Sequence, residues 1–388
     1  MEPGDGKAKA PLTCAQQRMI FWRMVLKEKG RVSNHYLNKI YFGDCMELLS
    51  ELPDECVSLV VTSPPYNIGK EYEKRNPLRK YLEEQEGTIT ECHRVLKQSG
   101  SIFWQIGSYV NNGVHIPLDV KLFAIFEKLG MIPRNRIVWI RTHGLHASNR
   151  FSCRHETLLW FTKSDEYVFN LDPIRVPQQY PEKKAYRGDK KGEFTCDPIG
   201  KNPGDVWAFR NVKHNHEEQT IHPCSFPEDL IERVILAVTK KGDTVLDPYM
   251  GVGTVAVVAR ELGRNFIGAE NNKEYHRVAL HRLSGEPDEK GNFPNLKTLR
   301  QYCEEHEIDN PGRFRFTKQV GKIPSLKSKS RIFPEHVHLD RFFEGSLVDS
   351  ESSAYRRSLV DSDGRLVKPR ERKEPVEKKQ MKLFADKS

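Results

Sequence analysis

Short apolar runs alternate with amphipathic stretches from about residue 39 to residue 284, the pattern of strands and helices taking turns. Ile40-Tyr41-Phe42 reads as a short strand, and Met46 to Leu52 as a helical turn. Val57 to Thr62 is apolar almost throughout, as a strand buried on both faces must be. Apolar residues spaced by three and four predict a helix over 78–96. Strands are expected at 101–106, 137–141 and 157–161, with a helix at 118–129. The rhythm stops between Asp172 and His222, where Pro, Gly, Lys, His and aromatic residues follow no period. It resumes as a helix over 226–239, a strand at 243–246, a helix at 255–262, a strand at 265–267 and a helix at 273–283. The expected fold class is α/β, a doubly wound, mostly parallel Rossmann-like sheet interrupted by one irregular insertion.

This pattern divides the chain. Residues 1–35 read as an N-terminal extension with a short helix around 16–29, and 36–290 as the main domain with its insertion at 172–220. Residues 291–344 read as an accessory segment holding one helix over 296–306, and 345–388 as a charged mobile tail. Ser-Leu-Val-Asp-Ser occurs at both 346–350 and 358–362, too short an echo for a repeat architecture. The tail's charge suits either non-specific contact with nucleic acid or plain solvation.

A net charge of +9 favours a polyanionic partner. No apolar run nears the ~20 residues of a membrane span, and Met1 to Pro11 lacks an apolar signal core, so the cytoplasm is the expected location. The eight cysteines include no C-x-x-C pair, which argues against a zinc ribbon or a disulfide scaffold. His214, His216, His222 and Cys224 cluster without a familiar zinc spacing, and no metal is expected.

Two segments carry candidate chemistry. In Asp247-Pro248-Tyr249-Met250-Gly251-Val252-Gly253-Thr254, Gly251 and Gly253 permit a tight turn and close approach to a ligand, and Thr254 is expected to cap the next helix. The strand that follows ends at Glu270, where a doubly wound fold binds ribose hydroxyls. The full G-x-G-x-x-G fingerprint is missing, since residue 256 is Ala, and Asp247 ill suits a pyrophosphate. A neutral or cationic nucleoside such as S-adenosylmethionine fits better.

The second segment, Thr62-Ser63-Pro64-Pro65-Tyr66-Asn67, follows a buried strand. Two prolines stiffen the backbone and leave carbonyls free as acceptors. Ser63 adds a hydroxyl, Tyr66 a flat face and Asn67 an amide. An exocyclic amino group on a base is a poor nucleophile, and acceptors aimed at its N–H bonds would direct its lone pair at a methyl donor. A base inside a duplex must first be flipped out, with Tyr66 as its stacking platform.

With these residues the chain resembles the β-group amino DNA methyltransferases of bacterial restriction–modification systems, over roughly residues 38–284. The resemblance rests on Gly43-Asp44-Cys45, Thr62-Ser-Pro-Pro-Tyr-Asn, His222-Pro223 and Asp247-Pro-Tyr-Met-Gly-Val-Gly-Thr, with the catalytic segment preceding the glycine segment. It implies a catalytic pocket of Ser63, Pro64, Pro65 and Tyr66. It also implies S-adenosylmethionine contacts from Asp44, Asn67, His222, Phe226, Asp247, Tyr249, Gly251, Gly253, Thr254 and Glu270. The region 172–220 corresponds to target recognition, with Lys183, Lys184, Arg187, Lys190 and Lys191 as DNA phosphate contacts. Double-stranded DNA is the implied partner, and a cognate restriction endonuclease the genetic one. Two departures matter. Adenine-modifying relatives usually have Asp where Ser63 stands, and His-Pro-Thr-x-Lys-Pro becomes His222-Pro-Cys-Ser-Phe226-Pro227, replacing a lysine with a candidate stacking ring. The expected activity is cytosine-N4 methylation. Adenine-N6 methylation is the alternative, followed by a non-DNA amino methyltransferase and a non-catalytic DNA-binding module.

Overall fold

The computed structural model describes residues 32–70, 73–141, 146–178, 180, 183–197, 199–213, 216–307 and 315–316. The helix expected at 16–29 and the tail at 345–388 lie outside them, as does most of the accessory segment beyond residue 307. In chain order the strands are β1 Lys39–Phe42, β2 Val57–Thr62, β3 Leu96–Ile106, β4 Ser108–Asn111, β5 Val114–Pro117, β6 Ile132–Ile140, β7 His155–Thr162, β8 Val206–Trp207, β9 Thr244–Asp247, β10 Asn265–Glu270, β11 Asn292–Phe293 and β12 Arg315–Phe316. The helices are α1 Cys45–Glu51, α2 Leu78–Val95, α3 Leu118–Lys128, α4 Glu228–Val238, α5 Thr254–Glu261, α6 Lys273–Ser284 and α7 Leu296–Glu305. No helix of the described residues is long and apolar enough to cross a membrane.

Eight strands form one sheet in the order β1-β10-β9-β2-β3-β7-β6-β8. The first five run parallel, and β7 is antiparallel to both β3 and β6. β2 explains the continuous apolar run, since every one of its residues is buried. Leu59 and Val61 pack into the layer of α4 and α5, whereas Val60 joins α1, α2 and α3 on the other face. From β9 the chain winds outward to β10, and from β2 it winds the other way to β3, so the direction of winding reverses between β9 and β2. Open α/β sheets bind ligands at such a reversal, beyond the carboxyl ends of the strands.

The hairpin β4–β5 was not among the sequence expectations. Its turn is Asn112-Gly113, both with left-handed φ (49° and 81°), between the paired residues Asn111 and Val114. Asn-Gly is a strong short hairpin signal, and it was there to be read. β3 also starts at Leu96, earlier than expected, directly from the end of α2. The described residues of 172–222 are irregular, as expected, and hold a 3-10 turn at Asp172–Ile174, the two-residue β8 and isolated bridges.

Gly268 of β10 pairs with Asp247 of β9 at the point where both strands reach the crevice. A Cβ there would collide with the Met250 side chain and lie 2.8 Å from the Asp247 carbonyl. Gly268→Ala is therefore expected to lower stability by about 1–3 kcal/mol, as overpacking does, measured by denaturant unfolding. A neutral result would show that the loop after β9 yields freely.

Candidate active site

The ends of β1, β2, β9 and β10 surround an open cleft enclosing about 990 Å³ of empty space, solvent at its mouth included. That is the size range of small-molecule sites, ~300–1,000 Å³. Asp44, Ser63, Pro64, Pro65, Tyr66, His222, Phe226, Tyr249, Gly251, Thr254 and Glu270 all line it. Asn67, Asp247 and Gly253 do not, and each has another task.

Asp247 is fully buried between the two segments. Its Oδ1 accepts the Thr62 hydroxyl at 2.5 Å and the Tyr249 N–H at 3.0 Å, while Oδ2 has no partner among the described residues. Burial pushes its pKa up to about 7, against the pull of those two hydrogen bonds. Thr62 immediately precedes Ser63, and Asp247 immediately precedes the glycine segment, so this bond ties the two chemical segments together.

In the glycine loop, Gly251 (φ 56°) and Gly253 (φ 82°) are both left-handed. A Cβ on Gly251 would point toward the His222 ring, 3.8 Å away, and fill part of the cleft. A Cβ on Gly253 would instead lie 2.9 Å from that of Ala279, so this glycine lets α5 approach α6. Gly253 is also the N-cap of α5, without a side-chain bond. The capping role expected of Thr254 is thereby corrected. Its hydroxyl accepts from Arg282 at 3.0 Å, and the left-handed glycine has taken the cap position. Arg282 is buried, donates to the Val252 carbonyl at 2.7 Å and pairs with Glu228 at 2.7 Å, bracing the loop from behind.

Glu270, at the end of β10, faces the cleft and accepts the N–H of Gly251 at 2.8 Å and of Asn272 at 2.7 Å, one on each oxygen. Burial raises its pKa. Each oxygen keeps a lone pair for a hydroxyl. A bare glycine backbone, a fixed carboxylate and the apolar Phe226 fit a nucleoside, and their negative charge fits a sulfonium. His222 stays neutral, since burial and the nearby Lys70 and Arg282 charges push its pKa down to about 4, and its Nδ1 accepts from the Cys224 N–H.

In the Ser-Pro-Pro-Tyr segment, Tyr81 donates to the Pro65 carbonyl at 2.9 Å, which anchors the end of the proline pair. Asn67 is left-handed (φ 58°), and its amide both donates to and accepts from the Asn76 backbone, closing the loop that follows. The Tyr66 ring packs on Gly107, where a Cβ would come within 3.0 Å of it. Its hydroxyl receives that of Ser63 at 3.2 Å and donates to Glu156 at 3.0 Å. Glu156 is a site neighbour the sequence reading missed, because no local pattern marks it. Lys183, Lys184, Arg187, Lys190 and Lys191 are all exposed around a small ladder in which the Ala185 N–H bonds the Glu193 carbonyl at 2.7 Å.

A family model described as DNA methylase, of the N6/N4 methyltransferase kind, matches residues 57–281. The chain belongs to that family. It is 60% identical over 324 residues to the Type II methyltransferase M.BglII of Bacillus subtilis, a match spanning 83% of this chain and 89% of that protein. It is 36% identical over 253 residues to the DNA adenine methyltransferase YhdJ of Escherichia coli K12, spanning 63% of this chain and 82% of that one. In fold it is similar to the solved PvuII DNA methyltransferase (cytosine-N4-specific), with a TM-score of 0.52 and 22% identity over 63% of this chain and 85% of that one. The protein is thus a DNA methyltransferase that uses S-adenosylmethionine.

Asp247 gives the fold a pH dependence. An unfolded aspartate titrates near ~3.9, so between there and about 7 folding takes up a proton, and stability falls as pH rises through this window. Asp247→Asn keeps an oxygen for Thr62 and Tyr249 but does not titrate. Between pH 5 and pH 8 the wild type is expected to lose about 2–3 kcal/mol more than this variant, measured by denaturant unfolding. Parallel pH profiles would contradict it.

Proposed function

We propose that the protein is the modification enzyme of a Type II restriction–modification system, methylating the exocyclic N4 of cytosine in duplex DNA after flipping the base. The supporting observation is the state of Ser63. Its hydroxyl lies on the cleft and gives its proton to Tyr66, which leaves its lone pairs for an amino group. S-adenosylmethionine would supply a methyl group on a sulfonium, leaving a neutral thioether, and the proton that the amino nitrogen loses on gaining the methyl would pass to solvent at the open mouth of the cleft. Ser63 and the stiff Ser63-Pro64 backbone hold the amino nitrogen, while Glu270 and the Gly251 turn hold the nucleoside end of the donor. Among the cofactor contacts proposed from the sequence, Asp247, Asn67 and Gly253 act by shaping the loops that bear the others. The high identity to M.BglII supports the pairing with a cognate endonuclease.

Adenine-N6 is the second reading, because a hydroxyl can accept from either amino group and YhdJ is an adenine enzyme. Incubation of unmodified DNA with the protein and labelled donor, then mass spectrometry of the nucleosides, should yield N4-methylcytosine. N6-methyladenine would replace the first reading with the second. Ser63→Ala should lower kcat by roughly 10²-fold, the scale of losing one preorganised group in an active site.

The exposed basic ladder is proposed to contact phosphates. Lys190→Gln with Lys191→Gln should weaken DNA binding equally for all sequences. The slope of log affinity against log salt should become shallower by about 0.9 for each phosphate that is no longer neutralised. An unchanged slope would remove the ladder from the interface.

A further inference from the structure

Four residues distant in sequence meet behind the Ser-Pro-Pro-Tyr segment. Tyr66 follows β2, Gln105 lies in β3, Glu156 in β7 and Arg141 just after β6. These four strands are neighbours in the sheet. Glu156 accepts the Tyr66 hydroxyl at 3.0 Å, pairs with Arg141 at 2.7 Å and takes a close hydrogen bond from the Gln105 amide. Its side chain is only 11% exposed.

We infer that Glu156 is a positioning residue that sets the direction of the hydrogen bonds running to Ser63. The inference rests on the proposed role of Ser63 as acceptor for the target amino group. An ionised carboxylate has only acceptors to offer. Tyr66 has one proton, so it donates that proton to Glu156, and its oxygen is left to accept from Ser63. Ser63 has then used its only proton, and what it shows the cleft is lone pairs. The exocyclic amino groups of cytosine and adenine present only N–H donors at this edge, so this polarity is the one the reaction needs. Burial, and next the charge of Glu156, push the Tyr66 pKa well above its usual value, which keeps the phenol proton in place.

A glutamine at 156 breaks the rule while conserving shape. Its amide N–H can donate to the phenol oxygen, Tyr66 then donates to Ser63, and the Ser63 proton turns toward the substrate amino group, donor against donor. Arg141 and Gln105 reinforce the original direction, because both are donors aimed at Glu156 and leave its remaining acceptor capacity to Tyr66.

The test compares Glu156→Gln, Tyr66→Phe and the double variant in the full-length protein, scoring total methyl transferred from labelled donor to unmodified DNA whichever base receives it. Glu156→Gln is expected to lower kcat by roughly tenfold to a hundredfold, the usual effect of a supporting partner, with KM for DNA and for the donor within about twofold of wild type. Tyr66→Phe keeps the ring on Gly107 and removes only the relay, so it should lose a similar factor. The double variant should be no slower than the slower single one, because both changes cut the same chain. Losses that multiply, a raised KM with unchanged kcat, or Glu156→Gln within twofold of wild type would each overturn the inference. Ser63→Ala separates it from the reading beneath it. Wild-type kcat in Ser63→Ala removes the acceptor role itself, whereas a slow Ser63→Ala beside a fully active Glu156→Gln removes only the part given to Glu156.

Discussion

One hydrogen bond, from the Thr62 hydroxyl to the buried Asp247 carboxyl, holds the site in register. The partners are 185 residues apart in the chain and sit at the ends of adjacent parallel strands. The catalytic loop leaves the sheet one residue after Thr62, and the glycine loop leaves it one residue after Asp247. Any slip of β2 against β9 would separate them, so the spacing of the two loops inherits the precision of a sheet core. Asp247 is a costly way to achieve this, being an acid without solvent whose second oxygen lacks a partner among the described residues. Buried polar groups of this kind persist where they specify geometry, at the expense of stability.

Around that bond the loops are braced from outside the cleft. Arg282 reaches from α6 to the Val252 carbonyl, the Thr254 hydroxyl and Glu228 of α4, so one guanidinium joins the glycine loop to two helices. Tyr81 holds the Pro65 carbonyl, and Asn67 and Asn76 close the catalytic loop from the far side. Toward the cleft these loops and β10 present the Ser63 lone pairs, the face of the glycine turn and the remaining acceptor capacity of the Glu270 carboxylate. A loop with most of its polar groups already engaged presents few conformations, which is what preorganisation requires.

Much of this was legible in the chain. The run 57–62 could only be a strand covered on both sides, and β9, β10 and their helices stand close to where apolar spacing put them. Turn chemistry also marked both loops of the cleft. What escaped detection depends on partners remote in sequence. Thr254 looks like a helix cap until the left-handed Gly253 is seen to hold that position and Arg282 to claim the hydroxyl. Asn67 reads as a ligand-positioning amide, but its partner is the Asn76 backbone. Glu156 carries no local signal because its partners come from β3 and from just after β2 and β6, a sheet order that period and composition do not encode. The β4–β5 hairpin differs, since its Asn112-Gly113 turn is a local signal, legible without any knowledge of the sheet.

The electrostatics of the cleft bear on turnover as well as binding. Burial raises the pKa of both Asp247 and Glu270, and the charge of Glu270 adds to the rise at Asp247. A region that strains two carboxyls in this way attracts a cation, and any cation it takes up favours their ionised forms. S-adenosylmethionine carries such a charge on sulfur, and the thioether left after methyl transfer does not. If the cleft binds the donor as proposed, the attraction that draws it in would weaken on loss of the methyl group, while apolar and hydrogen-bonded contacts to the nucleoside would be unchanged. On the proposed reading the acceptor side presents uncharged Ser63 to the cleft, and the carboxylate behind it, Glu156, is paired with Arg141. On the same reading Glu270 stands on the donor side of the cleft, where its charge favours the sulfonium reactant over its neutral product.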